Sequence, residues 1–242
     1  MEPMTRGRIR IEPTAKRVRA LLHGRVVADT TRALLVWEVP YYPTYYFPRD
    51  DVAVGLEPNG RTKRSPSRGD GVLYDVEGVA DAALAYPDSP IEELRGHVRL
   101  EWSAMDAWFE EDEEVYVHPR DPYTRVDILP SSRWIRVEVD GVTVADSRAA
   151  RILFETGLPP RYYLPKTDVR LDLLTPTDTR TRCPYKGEAE YWAVGGHADL
   201  AWSYRNPREE SQRIAGLISF YNEKVDIYVD GVLQERPKTK FA

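Results

Sequence analysis

The segment Val18–Val52 lies over Ile135–Val169 without a gap, each residue displaced by 117 places, as Gly141 is from Gly24. Between Lys16 and Val52, 13 of the 37 aligned pairs are identical. They include Arg19/Arg136, Ala28-Asp29/Ala145-Asp146, Glu38/Glu155, Tyr45-Tyr46/Tyr162-Tyr163, Pro48/Pro165 and Asp51-Val52/Asp168-Val169. A solenoid repeats every roughly 20–50 residues, so a period this long means two copies of one domain. With 242 residues, each copy has room to bury its own core. The expected organisation is an arm over residues 1–15, a first, looser copy over 16–129 and a second, cleaner copy over 130–237. Asp127–Pro130 is expected to be the linker.

The second copy sets the fold class. Ile135, Val137 and Val139 alternate with polar residues, Asp140-Gly141 follows, and Val142 and Val144 resume the alternation. That pattern predicts a hairpin, because a two-residue turn needs positive φ at both central positions and Asp-Gly supplies it. Further short strands are expected at Arg151–Glu155, Tyr162–Leu164, Val169–Leu174, Glu188–Val194 and Leu200–Tyr204. Glu209–Arg213 reads as one helical turn, and Leu217–Tyr221 with Val225–Val229 as a closing hairpin. No segment keeps a 3.6-residue apolar stripe for three turns. The expectation is mainly β: two tandem antiparallel domains with little helix.

Bulk properties narrow the function classes. A net charge of −5 argues against nucleic acid as a partner of the surface as a whole. The basic arm (Arg6, Arg8, Arg10, Lys16, Arg17, Arg19) reads as a solvated tail, and the acidic run Glu110–Glu114 as a solvated loop. No apolar run is long enough to span a bilayer, so no membrane is expected. A single cysteine, Cys183, leaves no intramolecular disulfide, and without an export signal the expected location is cytoplasmic.

Residues that core packing does not obviously require cluster in the second copy. Glu155 ends the apolar run VADSRAARILFE, and Tyr163 follows a Gly-Leu-Pro-Pro turn. Cys183 and Lys186 share the turn CPYKG, and Tyr191, Trp192, Trp202 and Tyr204 supply aromatic surface. A carboxylate beside apolar strand residues either forms a structural bridge or keeps a raised pKa for acid–base work. Cys183 as a nucleophile would need a nearby cation or base, with Lys186 and His197 as candidates; otherwise it is a packing residue. A lysine on a glycine-bearing turn suits an anionic ligand or a bridge to Glu188 or Glu190. The first copy has Ser65–Gly69 at this turn, with Arg68 for Lys186. Carboxylate pairs such as Asp168/Asp172 and Asp226/Asp230 are too far apart along a strand for two-metal chemistry.

The segments VADSRAARILFETGLPPRYYLPKTDVRLDLL, CPYKGEAEYW, DLAWSY and ISFYNEKVDIYVDG resemble the domain of unknown function 427 family over residues 133–232. A degenerate version covers about 17–120. The resemblance implies a β-tent fold of antiparallel sheets meeting at an angle. Related β-tent proteins often hold zinc through paired cysteines; this chain lacks those, so no zinc and no other cofactor is carried over. What does transfer is Glu155, Tyr163, Asp168, Cys183, Lys186, Gly187, Tyr191 and Trp192. In the first copy Glu38, Tyr46 and Asp51 keep the pattern, whereas Ser65 and Ser67 replace Cys and Tyr. A nucleotidyltransferase-like label attached to the family has no supporting residue pattern here.

The functional expectation is a pocket in the second copy for an unknown small, anionic molecule. Glu155, Tyr163 and Lys186 would be its polar groups, and Tyr191, Trp192 and Trp202 its walls. Glu155 and Cys183 are the catalytic candidates should there be a reaction. Two other classes stay open: a protein-interaction module, and an enzyme that is either thiol-dependent or a nucleotidyltransferase. The oligomeric state is open too.

Overall fold

The computed structural model describes residues 9–239 and 241, and the chain divides into two units, Met1–Asp121 and Pro122–Ala242. The first unit runs β1 (Arg10–Pro13), β2 (Val18–Leu22), β3 (Arg25–Thr30), β4 (Leu34–Val39), β5 (Tyr42–Pro48), β6 (Leu56–Ser65), β7 (Gly69–Val76), β8 (Val79–Ala85), β9 (His97–Leu100), β10 (Ala107–Glu110) and β11 (Glu113–Glu114). These build a seven-stranded antiparallel sheet, β1-β4-β5-β9-β8-β7-β6, and a four-stranded one, β11-β10-β2-β3.

The second unit repeats the plan with β12 (Val126–Pro130), β13 (Ile135–Val139), β14 (Val142–Ser147), β15 (Arg151–Glu155), β16 (Arg161–Tyr163), β17 (Leu174–Cys183), β18 (Gly187–Val194), β19 (His197–Ser203), β20 (Ile218–Phe220), β21 (Asp226–Val229) and β22 (Val232–Leu233). Its large sheet is parted into β12-β15-β16 and β17-β18-β19-β20. The parting falls where β5 pairs β9 through three residues in the first unit. There the second unit keeps only the Leu164–Ile218 bridge. The fold is thus mainly β and antiparallel, two copies in tandem.

Local sequence explains the strands. In β2 and β13 every second residue is buried, so one face of each enters the core. Asp140-Gly141 turns with φ of 51° and 77°, the double positive φ that joins two strands without splaying them. A further device is shared: β6 and β17 each shift register midway, between Pro58 and Thr62 and between Pro176 and Arg180. At the matching place, Asp81 and Asp199 take positive φ (54° and 55°). Asp81 accepts from Asn59 at 2.8 Å, and Asp199 from Thr177 and Thr179 at 2.5 and 2.7 Å. The carboxylates so tie the side chains of the bulged strand to the neighbouring turn. Each unit has two apolar clusters. Phe47 and its equivalent Leu164 are fully enclosed, each burial contributing about 1.5–3 kcal/mol.

Several expectations are corrected. Residues 1–8 of the arm lie outside the described residues, but Arg10–Pro13 is strand β1, paired with β4. Asp127–Pro130 is no linker: it belongs to β12, the matching strand of the second copy, and pairs with Arg151–Phe154 of β15. Val169–Leu174 is not a strand. Two 3-10 turns, Lys166–Asp168 and Leu171–Leu173, flank a single bridge from Val169 to Ala145. The polar stretch after it is the long strand β17. Leu217–Tyr221 and Val225–Val229 do not form a hairpin, because β20 pairs β19 while β21 crosses to β13. Alternation alone cannot say which strand a neighbour joins. Glu110 of the acidic run is buried, held by Lys16 at 2.5 Å and by the Tyr45 hydroxyl at 2.5 Å.

Candidate functional site

Strand β15 carries Glu155 at its end, and the β17–β18 turn carries Cys183 and Lys186. Gly187 closes that turn at φ 96°. A β-carbon there would make only ordinary contacts with the Arg208 amide and the Asn206 carbonyl, so it is the positive φ that favours glycine. The result places Lys186 Nζ 2.6 Å from Glu155 Oε2, with the two side chains only 10% and 11% exposed. Burial works against the Lys186 charge, but the adjoining Cys183 and the Glu155 carboxylate outweigh it and hold the ammonium above the ordinary lysine range.

Tyr163 lies fully buried beside this pair and accepts a hydrogen bond from Trp202 Nε1 at 3.1 Å. Burial drives its phenol far above the usual tyrosine range, the Trp202 bond opposing and the Glu155 charge reinforcing the shift. Tyr204 is raised for the same first reason. Lysine is thus locked cationic and tyrosine neutral. Lys186, Tyr163 and Tyr204 are therefore all shifted away from neutrality rather than towards it.

Of the expected site residues, the fold brings together Glu155, Cys183, Lys186, Tyr163, Tyr191 and Trp202. The last two belong to the same apolar cluster as Tyr163. Trp192 is not among them: alternation along β18 sends it to the opposite face, against the other core cluster and near Lys166. The polar trio does not line any of the three cavities described below. Glu155 and Lys186 are bridged to each other, and Tyr163 is spent on Trp202. Asp168 receives the Ser147 hydroxyl at 2.6 Å, as Asp51 receives Thr30 at 2.5 Å, which makes this shared aspartate a strand-end clamp. Asp172, Asp226 and Asp230 pair with Arg170, Arg236 and Arg133. Among the described residues no three of His, Cys, Asp and Glu converge as a metal-ligating set.

The first unit wires the equivalent acid differently. Glu38 accepts from the Tyr46 hydroxyl at 2.6 Å, from Arg68 at 3.0 Å and from Arg99 at 2.9 Å. Arg99 also reaches Glu101 at 2.5 Å. Burial lowers the Arg99 affinity for its proton, but Glu38 and Glu101 more than restore it. Burial, with the Glu38 charge, likewise keeps Tyr46 protonated. Strand register identifies the counterparts. Tyr46 faces Arg99 across β5 and β9, and Leu164–Ile218 carries the same register into the second unit, so Ser219 stands in the place of Arg99.

The second unit instead has Arg161. Arg161 faces Leu153 just as Thr44 faces Val36. It forms a two-pronged bridge to Glu223 at 2.7 and 2.7 Å and a bond to Asn222 at 3.2 Å. Neither Arg161 nor Glu223, nor Arg99, figured in the sequence reading. The available signal was a lone charge inside an apolar strand, RYYL or HVRL, next to a Tyr present in both copies.

Two cavities flank the Arg99–Glu101 pair. One, about 220 Å³, is walled by Tyr42, Tyr45, Trp102 and Trp108, with Glu38 and Glu101 at its polar edge and Val117–Pro119 over it. Trp102 and Trp108 stack at 4.5 Å, and Tyr42 stacks on His118 at 4.1 Å. Val117 has φ 71°, a costly conformation for a β-branched residue. The other, about 480 Å³, lies towards Arg61, Lys63, Asp81 and Leu84. A third, about 460 Å³, belongs to the second unit and is bordered by Glu138, Asp140, His197 and Lys224, with Glu155 not in its lining.

Two tandem antiparallel β domains, each centred on a part-buried glutamate held by a tyrosine or a basic side chain, define the class of protein. The family model described as "Domain of unknown function (DUF427)" matches residues 10–111 and again 127–231, and the chain belongs to that family. No curated protein matches the chain. Among the described residues no helix is long and apolar enough to cross a membrane.

Proposed function

We propose that the chain binds a small molecule and that the site is the 220 Å³ cavity of the first unit rather than a pocket of the second. One observation carries this reading: at matching register, the first unit leaves space beside its buried glutamate network where the second unit fills it with Arg161. Aromatic walls with a few polar groups at one edge are the usual make-up of a ligand site, though this one is small. The strained Val117 in its cover is the kind of backbone feature that collects at ligand clamps. The proposal assigns no reaction.

Crystals of the full chain soaked with a fragment library test the proposal. Fragment density between Trp102, Tyr42 and Glu101 is the expected result. Fragments found solely elsewhere, or none at all, would overturn it.

A further inference from the structure

Resting on that reading of the site, we infer that the first unit's cavity selects small planar organic cations, of the guanidinium or amidinium type. The second unit supplies the pattern. Its Arg161 guanidinium lies 5.8 Å from the Trp202 ring, 5.9 Å from Tyr221 and 5.8 Å from Phe241, with Glu223 bound through both oxygens. A planar cation among aromatic faces and a carboxylate is stabilised by ring quadrupoles and charge together. That copy occupies the position with its own side chain.

In the first unit Thr44 stands in place of Arg161, and the cavity opens at Thr44. The aromatic and acidic surroundings persist from other positions: Tyr42, Tyr45, Trp102 and Trp108 for the rings, Glu38 and Glu101 for the carboxylates. Against those two acids the lining holds one guanidinium, Arg99, already engaged by both. Arg68 also holds Glu38, from outside the lining, so the carboxylate left to a ligand is Glu101. Glu101, with 42% of its side chain exposed, meets Arg99 through Oε2, so its second oxygen can accept from a further donor.

The cover is common to both copies as well. The chain after the last hairpin starts identically, Val115 N donating to Trp108 O and Gln234 N to Ile227 O, each at 2.8 Å. In the first unit it continues over the cavity as Val117–Pro119. In the second it reaches Glu223 through Thr239 at 2.5 Å and lays Phe241 beside Arg161.

The test uses three probes of one shape and different charge on the full-length protein: benzamidinium, benzamide and benzoate, titrated calorimetrically. Benzamidinium is expected to bind about tenfold more tightly than benzamide, a ratio that one cation–aromatic contact with a charged hydrogen bond supplies. Benzoate is expected to bind most weakly. Thr44→Arg, which gives the first unit its own plug, should abolish benzamidinium binding. Glu101→Gln, at a half-exposed position that leaves folding intact, should cut benzamidinium affinity about tenfold and leave benzamide unchanged. If benzamide or benzoate binds as tightly as benzamidinium and is lost in Thr44→Arg, the ligand class is wrong while the cavity reading stands. If none of the three shows binding sensitive to either substitution, both readings fall.

Discussion

Lys186→Met isolates the buried carboxylate at the centre of the second unit. Lys186 and Glu155 meet at 2.6 Å with about a tenth of each side chain exposed, so removing the ammonium leaves a desolvated charge beside the neutral phenol of Tyr163. Breaking a buried pair in this way costs about 3–5 kcal/mol, a large share of the roughly 5–15 kcal/mol that holds a domain together. For a unit of this length the melting point should fall by about 10–20 °C. Urea unfolding followed by fluorescence reads the effect, with Trp134, Trp192 and Trp202 reporting from the second unit. Methionine keeps most of the lysine stem, so the loss reports charge rather than volume. The companion variant Lys186→Met/Glu155→Leu removes both charges and should recover about 2 kcal/mol or more of what the single change lost. A single variant within about 1 kcal/mol of the parent protein would refute the structural role given to the pair. So would a double variant no more stable than the single.

Other outcomes follow from the same reasoning. Burial pushes the Glu223 carboxyl up, but Arg161 and Thr239 more than reverse this and hold it below the ordinary glutamate value. Its contribution is therefore present above about pH 4.5 and is lost as pH falls through the depressed value, so Glu223→Gln should flatten the acid limb of the second unit's stability curve in circular dichroism. At the other extreme, burial raises Tyr46, Tyr163 and Tyr204. Stability from these phenols is complete below about pH 10 and declines above it, so both units should unfold on alkaline titration as tyrosinate absorbance appears in one cooperative step. In the first unit a β-carbon on Gly71 would come within 2.7 Å of Leu84 and 2.8 Å of Tyr86. Gly71→Val should cost about 1–3 kcal/mol by overpacking, measurable as a lowered urea midpoint.

The repeat made the architecture legible in the sequence, because a period-two pattern and a glycine-bearing hairpin turn (His23-Gly24, Asp140-Gly141) survive in both copies. Pairing partners were not legible. Leu217–Tyr221 and Val225–Val229 are adjacent in sequence and alternate alike, yet long-range packing sends them to different sheets. The Glu155, Lys186, Tyr163, Cys183 and Trp202 grouping was readable because rare polar types stood out on apolar strands. Trp192 was misplaced because its side chain follows the pleat to the other face. Arg161 and Arg99 escaped because a single arginine in a strand usually marks a solvated face. Only cross-strand register reveals that each one satisfies a buried acid. Glu155, Tyr163 and Lys186 are spent on one another and on Trp202 for a related reason: a complete set of polar residues signals a filled interior as readily as an open one.

Arg99 and Arg161 also constrain how the two copies could have parted. The second domain pairs two acids with two cations, Glu155 with Lys186 and Glu223 with Arg161 of β16, whereas the first sets both Arg68 and Arg99 of β9 on Glu38. Moving from one arrangement to the other by single substitutions passes through a domain with either a surplus guanidinium or a stranded carboxylate. The step that loses Arg161 is safe only after Glu223 has gone, and the step that gains it is safe only once a partner acid exists. The order of replacements is therefore restricted, and a hairpin moved from one copy into the other would arrive with the wrong count of charges for its new neighbours.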